Sequence, residues 1–182
     1  MDLGLNGKVA IVTGGSDGIG KAAAISMSSE GARLAIVGRT QSKLDSAVAE
    51  IKSLTGGDVI GIATDVSIES EVKSMVRKVV SEYGNIDILV NNAGTSSATT
   101  LEDMTDEQLE VDFGIKVYGA VYCARAVLPY LKKSGSGAIV NTTTPGGKAA
   151  SPGGQPTSLS RAAGISLTKS WAGELAKDNI RV

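Results

Sequence analysis

Residues 13–20 read TGGSDGIG, directly after the apolar run KVAIVT (8–13) and at the opening of a segment with helical character. Glycine has no Cβ, so Gly14, Gly18 and Gly20 allow the backbone to turn sharply, to approach a ligand and to pack a helix close against a strand. Unpaired N–H groups and the positive end of the helix favour an anion at that place. The spacing is Gly-x-x-x-Gly-x-Gly, not the Gly-x-Gly-x-x-Gly of the common dinucleotide fingerprint. A glycine loop by itself fits a tight turn as well as a phosphate site. Between a first strand and a first helix, it points to the pyrophosphate of a dinucleotide.

Working outward, the runs RLAIVG (33–38), DVIGIA (58–63), IDILV (86–90) and GAIVN (137–141) repeat the character of the first. Each is apolar nearly throughout, as a parallel strand covered on both faces should be. Between them lie longer segments with apolar residues at helical spacing: Leu44, Val48 and Ile51, then Val72, Val76 and Val79. The longest helix predicts an inward stripe of Phe113, Val117, Val121, Ala124, Leu128 and Leu131, and a last helix over about 157–176 carries Leu167, Trp171 and Leu175. NIRV (179–182) begins another strand. The alternation predicts an α/β fold, a Rossmann-type doubly wound parallel sheet of five strands plus the start of a sixth. No repeat, low-complexity tract or linker interrupts it, so residues 1–182 are expected to form one dinucleotide-binding domain.

Composition narrows the chemistry. A chain of 182 residues can bury roughly 70% of the surface its unfolded form exposes. With 42% apolar and 20% charged residues and a net charge of −1, it reads as a soluble globular protein, and neither nucleic acid nor an anionic membrane is an expected partner. Histidine is absent and Cys123 is the single cysteine, which excludes a disulfide framework, a metal site built on Cys or His, and any triad with a His base. Cys123 lies in an apolar helical stretch, where a buried inert thiol is the expected state. The N-terminus lacks the pattern of a signal peptide, and no apolar run nears the roughly 20 residues of a membrane span. A reducing cytoplasm fits.

The end of the second strand bears on the nucleotide. A carboxylate about 20 residues past the glycines would bind the ribose 2′-hydroxyl of NAD, and an Arg would accommodate the 2′-phosphate of NADP. Here the strand ends Val37-Gly38-Arg39-Thr40, which favours NADP(H) over NAD(H). Asp17 within the loop argues the other way, since its charge would repel a nearby phosphate. Arg39 could also be an ordinary solvated surface charge.

TGGSDGIG, Asp65-Val66 after the third strand, Asn91-Asn92-Ala93-Gly94 after the fourth, GAIVNTTTPGG (137–147) and WAGELAKDNIRV (171–182) together resemble the classical short-chain dehydrogenases/reductases along the whole chain. The resemblance implies reversible hydride transfer between a nicotinamide and a small-molecule carbonyl or alcohol, and homo-dimers or tetramers packed through two long helices. It implies cofactor contacts at Gly14, Ser16, Asp17, Gly18, Ile19, Gly20, Arg39, Asp65, Val66, Asn91, Ala93, Gly94 and Arg161. The family's catalysis uses an Asn in the long helix, a Ser after the fifth strand, and a Tyr-x-x-x-Lys pair beyond it. Those positions fall here on Lys116, Thr144, Thr157 and Arg161, so all four are substituted. A shifted register does not restore the pair: Tyr83, Tyr118, Tyr122 and Tyr130 are followed four residues later by Asp87, Tyr122, Ala126 and Ser134. The family also continues past NIRV with a substrate-covering segment and a seventh strand, so the sequence is expected to be a fragment of a longer protein rather than a natural truncation.

The substitutions carry a physical message. The hydroxyl of Thr157 lies far above the range of side-chain acids, and Arg161 stays protonated, so neither can replace a titrating Tyr. Thr144 keeps a hydroxyl able to hold a carbonyl. Lys116 would serve as a substitute general acid if it points inward, with Arg161 depressing its pKa, and would be an ordinary solvated Lys if it turns out. The stretch PTSLSRAAG (156–164) is therefore both an ordinary helix start and the place where the proton donor should stand. Two functions remain: an NADP(H)-binding oxidoreductase with a non-standard site, and a catalytically silent nucleotide-binding or scaffold relative.

Overall fold

The run VAIVT forms β1 (Val9–Thr13), with all five residues buried. A strand can be apolar on both faces only if both are covered, and β1 lies at the centre of the sheet. The computed structural model describes residues 2–182. After β1 come α1 (Gly18–Ser29), β2 (Arg33–Gly38), α2 (Gln41–Thr55), β3 (Val59–Ala63), α3 (Glu69–Tyr83) and β4 (Ile88–Asn91). Then follow β5 (Ala98–Thr99), α4 (Asp106–Phe113), α5 (Gly119–Ser134), β6 (Ala138–Asn141), β7 (Gln155–Pro156) and α6 (Thr157–Leu175).

Five strands pair in parallel in the order β3-β2-β1-β4-β6. Ile11 sits opposite both Ala35 and Leu89, and Leu89 opposite Ile139. Successive side chains of a strand face opposite ways, which divides the core in two. Ala10, Leu34, Ile36 and Val59 meet Ala24, Leu44, Ala47 and Ile51 of α1 and α2 on one face. Ile11, Ala35, Val37 and Ile62 meet Val72, Val76, Val79, Val127 and Leu131 of α3 and α5 on the other. Burying an Ile or Leu side chain of this kind contributes roughly 1.5–3 kcal/mol.

The doubly wound sheet is as the sequence predicts; of three further local features, the first is the expected start of a sixth strand and the other two were not foreseen. NIRV contributes a single parallel bridge, Arg181 to Ala138, at the outer side of β6. The short antiparallel pair β5–β7 has no signal in the alternation of apolar runs. The third feature concerns the long helix, where α4 and α5 are joined through one π-helical turn, Gly114–Tyr118. Of the predicted stripe, Ala124 and Leu131 are buried, and Phe113, Val117, Val121 and Leu128 are only half-buried. The rest of the buried line runs one residue earlier, through Asp112, Lys116, Ala120, Cys123 and Val127. Two causes act together. Asp112 and Lys116 neutralise each other and so can go inside. Gly119 meanwhile allows a backbone approach that a side chain would prevent, since a Cβ there would stand 2.9 Å from Val66.

From β1 the chain winds outward to β3, then returns to β4 on the opposite side of β1. The C-terminal ends of β1 and β4 therefore bound a crevice where loops diverge, the usual ligand position in an open α/β sheet.

Candidate active site

A cleft of about 550 Å³ lies along those strand ends. Its first wall is the glycine loop between β1 and α1. Gly14 adopts φ +66°, and a Cβ there would meet the Asn92 side chain at 2.9 Å and the Ala93 Cα at 3.0 Å. At Gly20 a Cβ would stand 2.2 Å from the Gly14 carbonyl oxygen, so only hydrogen fits where the helix folds back on the loop. Asp17 extends from the loop and accepts a 2.7 Å hydrogen bond from the Gly18 N–H, capping α1. Thr13 ties this wall to the next strand: its Oγ1 donates to the Val90 carbonyl at 3.2 Å and accepts from the N–H groups of Asn92 and Ala93 at 2.9 and 3.0 Å.

At the end of β2, Arg39 and Lys43 both line the cleft, Lys43 from the first turn of α2. Asp65, after β3, also reaches it, with Oδ1 held by the Ser67 N–H at 2.9 Å and the Ser67 hydroxyl at 2.6 Å. The cleft thus passes from a pair of cations, past the glycine loop and Val66, to Ala93 and Gly94 after β4, and ends at Thr144, Thr157 and Arg161. A nicotinamide dinucleotide matches this sequence of surfaces. The Gly14–Gly20 cradle has the backbone clearance that a pyrophosphate needs, and Arg39 and Lys43 stand at the end of the cleft away from Thr157.

At the other end of the cleft, the head of α6 is a polar cluster. No side chain caps that helix, and Pro156 precedes its first turn. Its hydroxyls turn to α4 instead. Asp112, 1% exposed, accepts hydrogen bonds from Lys116 and Ser160 and, at 3.2 Å, from the Thr157 hydroxyl. Lys116 also donates to Thr157 Oγ1 at 2.9 Å, and the Ser97 N–H donates to the same oxygen at 3.1 Å. Burial pushes the Lys116 ammonium below its ordinary pKa, Asp112 pulls it back up, and the Arg161 charge adds to the lowering. Arg161 donates to the Thr142 carbonyl at 2.5 Å, while its Nε is buried without a partner. Burial lowers its pKa too, against the opposing pull of Asp112; a guanidinium remains a cation regardless.

Of the residues the sequence points to, Gly14, Ser16, Asp17, Gly18, Ile19, Arg39, Asp65, Val66, Ala93, Gly94, Thr144, Thr157 and Arg161 all line this one cleft. Three stand elsewhere. Gly20 lies beneath the loop, packed on Gly14. Asn91 donates to Asn141 Oδ1 at 2.9 Å, and Asn141 donates to Thr168 at 2.9 Å, a cross-tie from β4 through β6 to α6. Lys116 lies behind the cleft wall with its side chain 1% exposed, which removes the solvent-facing orientation. Sequence reasoning missed Lys43, Thr142, Thr143 and Asp112. The place of Lys43, four residues after Arg39 in a new helix, was a usable signal. Asp112 gave none beyond its i,i+4 spacing to Lys116, which also describes countless surface pairs.

A family model described as short chain dehydrogenase matches residues 8–182. The 3-oxoacyl-(acyl-carrier-protein) reductase FabG of Thermotoga maritima is 38% identical over 178 residues, covering 98% of this chain and 72% of its own. Among solved structures, an L-sorbose reductase of Gluconobacter frateurii complexed with NADPH and L-sorbose superimposes with a TM-score of 0.96 at 37% identity, covering 100% of this chain and 69% of that one. An NAD+-bound xylitol dehydrogenase gives a TM-score of 0.94 at 34% identity, with 98% and 68% covered. No helix of the described residues is long and apolar enough to cross a membrane.

Proposed function

The chain belongs to the short-chain dehydrogenase family, and on that premise we propose that it is an NADP(H)-dependent oxidoreductase acting on a small carbonyl or alcohol through a non-standard proton-donating site. The observation that carries the reading is one continuous cleft joining the glycine loop to the Thr144–Thr157–Arg161 wall. When bound, the cofactor supplies or accepts the hydride. The N–H groups of the glycine loop and the α1 terminus hold its pyrophosphate. Arg39 and Lys43 neutralise a 2′-phosphate, and two cations there outweigh the single carboxylate of Asp17. Arg161 takes the ribose hydroxyls at the nicotinamide end, and Thr144 donates to the substrate oxygen. Two relatives of comparable similarity are described with different nicotinamides, NADPH and NAD+, so the cation pair in this chain carries the preference.

The domain is read as residues 1–182 with the dinucleotide across its strand ends, working in the cytoplasm. Self-association through the half-buried flank of α4–α5 and through α6 belongs to the same reading. Light scattering at micromolar concentration should return at least a dimer mass, and a monomer mass would remove it.

A second reading is a silent nucleotide-binding relative. It draws on the Thr157 hydroxyl, which already engages Asp112, Lys116 and Ser97. Fluorescence titration with NADPH and NADH separates part of this: NADPH should bind at least tenfold tighter, Arg39→Ala should reduce the difference, and Arg39→Ala with Lys43→Ala should erase it. Equal affinities would contradict the NADP(H) preference. Absorbance at the nicotinamide band with an acetoacetyl thioester, L-sorbose and cyclohexanone as probes then decides between slow turnover and none.

A further inference from the structure

We propose that the Thr157 hydroxyl is a proton conduit between the buried Lys116 ammonium and the cleft, with Asp112 as the positioning residue that keeps the two in line; the catalytic use of this path rests on the oxidoreductase reading above. Lys116 cannot meet a substrate directly, since its side chain is 1% exposed and stands behind the wall. Thr157 lines the cleft and its Oγ1 is 2.9 Å from the Lys116 Nζ, so this one residue spans the wall between them. Asp112 fixes that geometry from α4, accepting from Lys116 and Thr157 through Oδ2 and from Ser160 through Oδ1.

At rest the Thr157 proton points to Asp112, 3.2 Å away, while Oγ1 accepts from Lys116 and from the Ser97 N–H. Rotation about the Cβ–Oγ bond turns that proton to an oxygen in the cleft. Asp112 still keeps Lys116 and Ser160, so the rotation leaves no buried group stranded. An aliphatic alcohol is too weak an acid to be the source of the proton. An ammonium is a real acid, and the charged groups facing this one are Asp112 on α4 and Arg161 on α6.

In carbonyl reduction the substrate oxygen takes the Thr157 proton as the C=O π bond breaks, and Thr157 Oγ1 takes a proton from Lys116 Nζ, so that one O–H and one N–H bond break as two O–H bonds form. Lys116 is left as a neutral amine and regains its proton from cleft water along the same hydroxyl. The hydride and its two electrons come from the cofactor, so one solvent proton is consumed per turnover. Thr157 is a catalytic residue on this account, and Lys116 and Asp112 act through it.

The test starts from a property that needs no turnover. In the full chain labelled with 15N-lysine, the Lys116 ammonium signal, assigned by its loss in Lys116→Met, should exchange hydrogen with water at a rate that falls at least tenfold in Thr157→Val. Thr157→Ser should keep the wild-type rate. Equal exchange in wild type and Thr157→Val would overturn the conduit. In wild type alone, kcat/KM for reduction of the carbonyl probes with NADPH should decline as pH rises through the Lys116 midpoint read from the same NMR signal; a decline at an unrelated pH would also overturn its catalytic role. Turnover should fall by about 10²-fold or more in Thr157→Val and return in Thr157→Ser. If exchange behaves as expected and no probe is reduced by wild type, the oxidoreductase reading fails while the proton path stands.

Discussion

At the scale of single residues, Asp112 has the largest energetic consequence. Its carboxylate and the Lys116 ammonium are both buried, each with a side chain 1% exposed, so each depends on the other. Asp112→Leu strands a buried ammonium, an outcome that typically costs about 3–5 kcal/mol. Replacing both partners by apolar residues, Asp112→Leu with Lys116→Met, removes the desolvation problem and should restore most of that loss. Denaturant midpoints of the two variants check the difference; equal losses would mean that the pair does not act as a unit. The single variant carries a second mark. With no carboxylate to raise it, the Lys116 pKa drops further below its ordinary 10.5. The folded form then binds fewer protons than the unfolded form between the two values, so stability of Asp112→Leu should climb as pH rises through that window.

At the scale of elements, what was legible depended on whether apolar residues did the packing. The strands VAIVT and RLAIVG are recognisable because every residue but the terminal Arg33 and Gly38 goes inside, and α3 because Val72, Val76 and Val79 fall on one face. The glycine loop was legible for a different reason, since close backbone approach leaves a residue-type record at Gly14 and Gly20. The first half of the inner face of α4–α5 was not legible, although Ala124 and Leu131 farther along were. Its contacts are made by Asp112, Lys116, Gly119 and Ala120, which an apolar pattern scores as surface or as nothing, and a π turn at Gly114–Tyr118 breaks the 3.6-residue phase. The same blindness hid half of the site. Thr144, Thr157 and Arg161 could be placed by counting along the chain, but the side-chain bonds that fix Thr157 come from α4 and from the segment after β4, far away in sequence. The pair β5–β7 was hidden similarly, as two-residue strands are shorter than any periodicity.

At the scale of the whole molecule, the sheet buries two weak acids whose ionisation opposes the fold. Cys123 lies in the core between α5 and the sheet, and burial pushes its thiol up from 9.0 to about 12. Tyr83, whose hydroxyl donates to the Leu34 carbonyl and to Asp58 at 3.2 Å each, is raised above its ordinary 10.0 by burial and by the Asp58 charge. Above pH 9 the unfolded chain releases the Cys123 proton and the folded chain retains it. Stability from this group is therefore complete below 9.0 and is lost as pH climbs toward about 12, with a limiting slope of about 1.4 kcal/mol per pH unit. Tyr83 adds loss in the same direction from about pH 10. Cys123→Ala removes one of the two groups, so the difference in unfolding free energy between wild type and this variant should shrink steadily between pH 9 and 11. Denaturant titrations at fixed ionic strength measure it, and a pH-independent difference would show that the thiol is free to ionise in the folded core. The same burial should keep Cys123 unreactive toward a thiol reagent at neutral pH until the sheet opens, which ties the reactivity of one sulfur to the cooperative unfolding of the whole molecule.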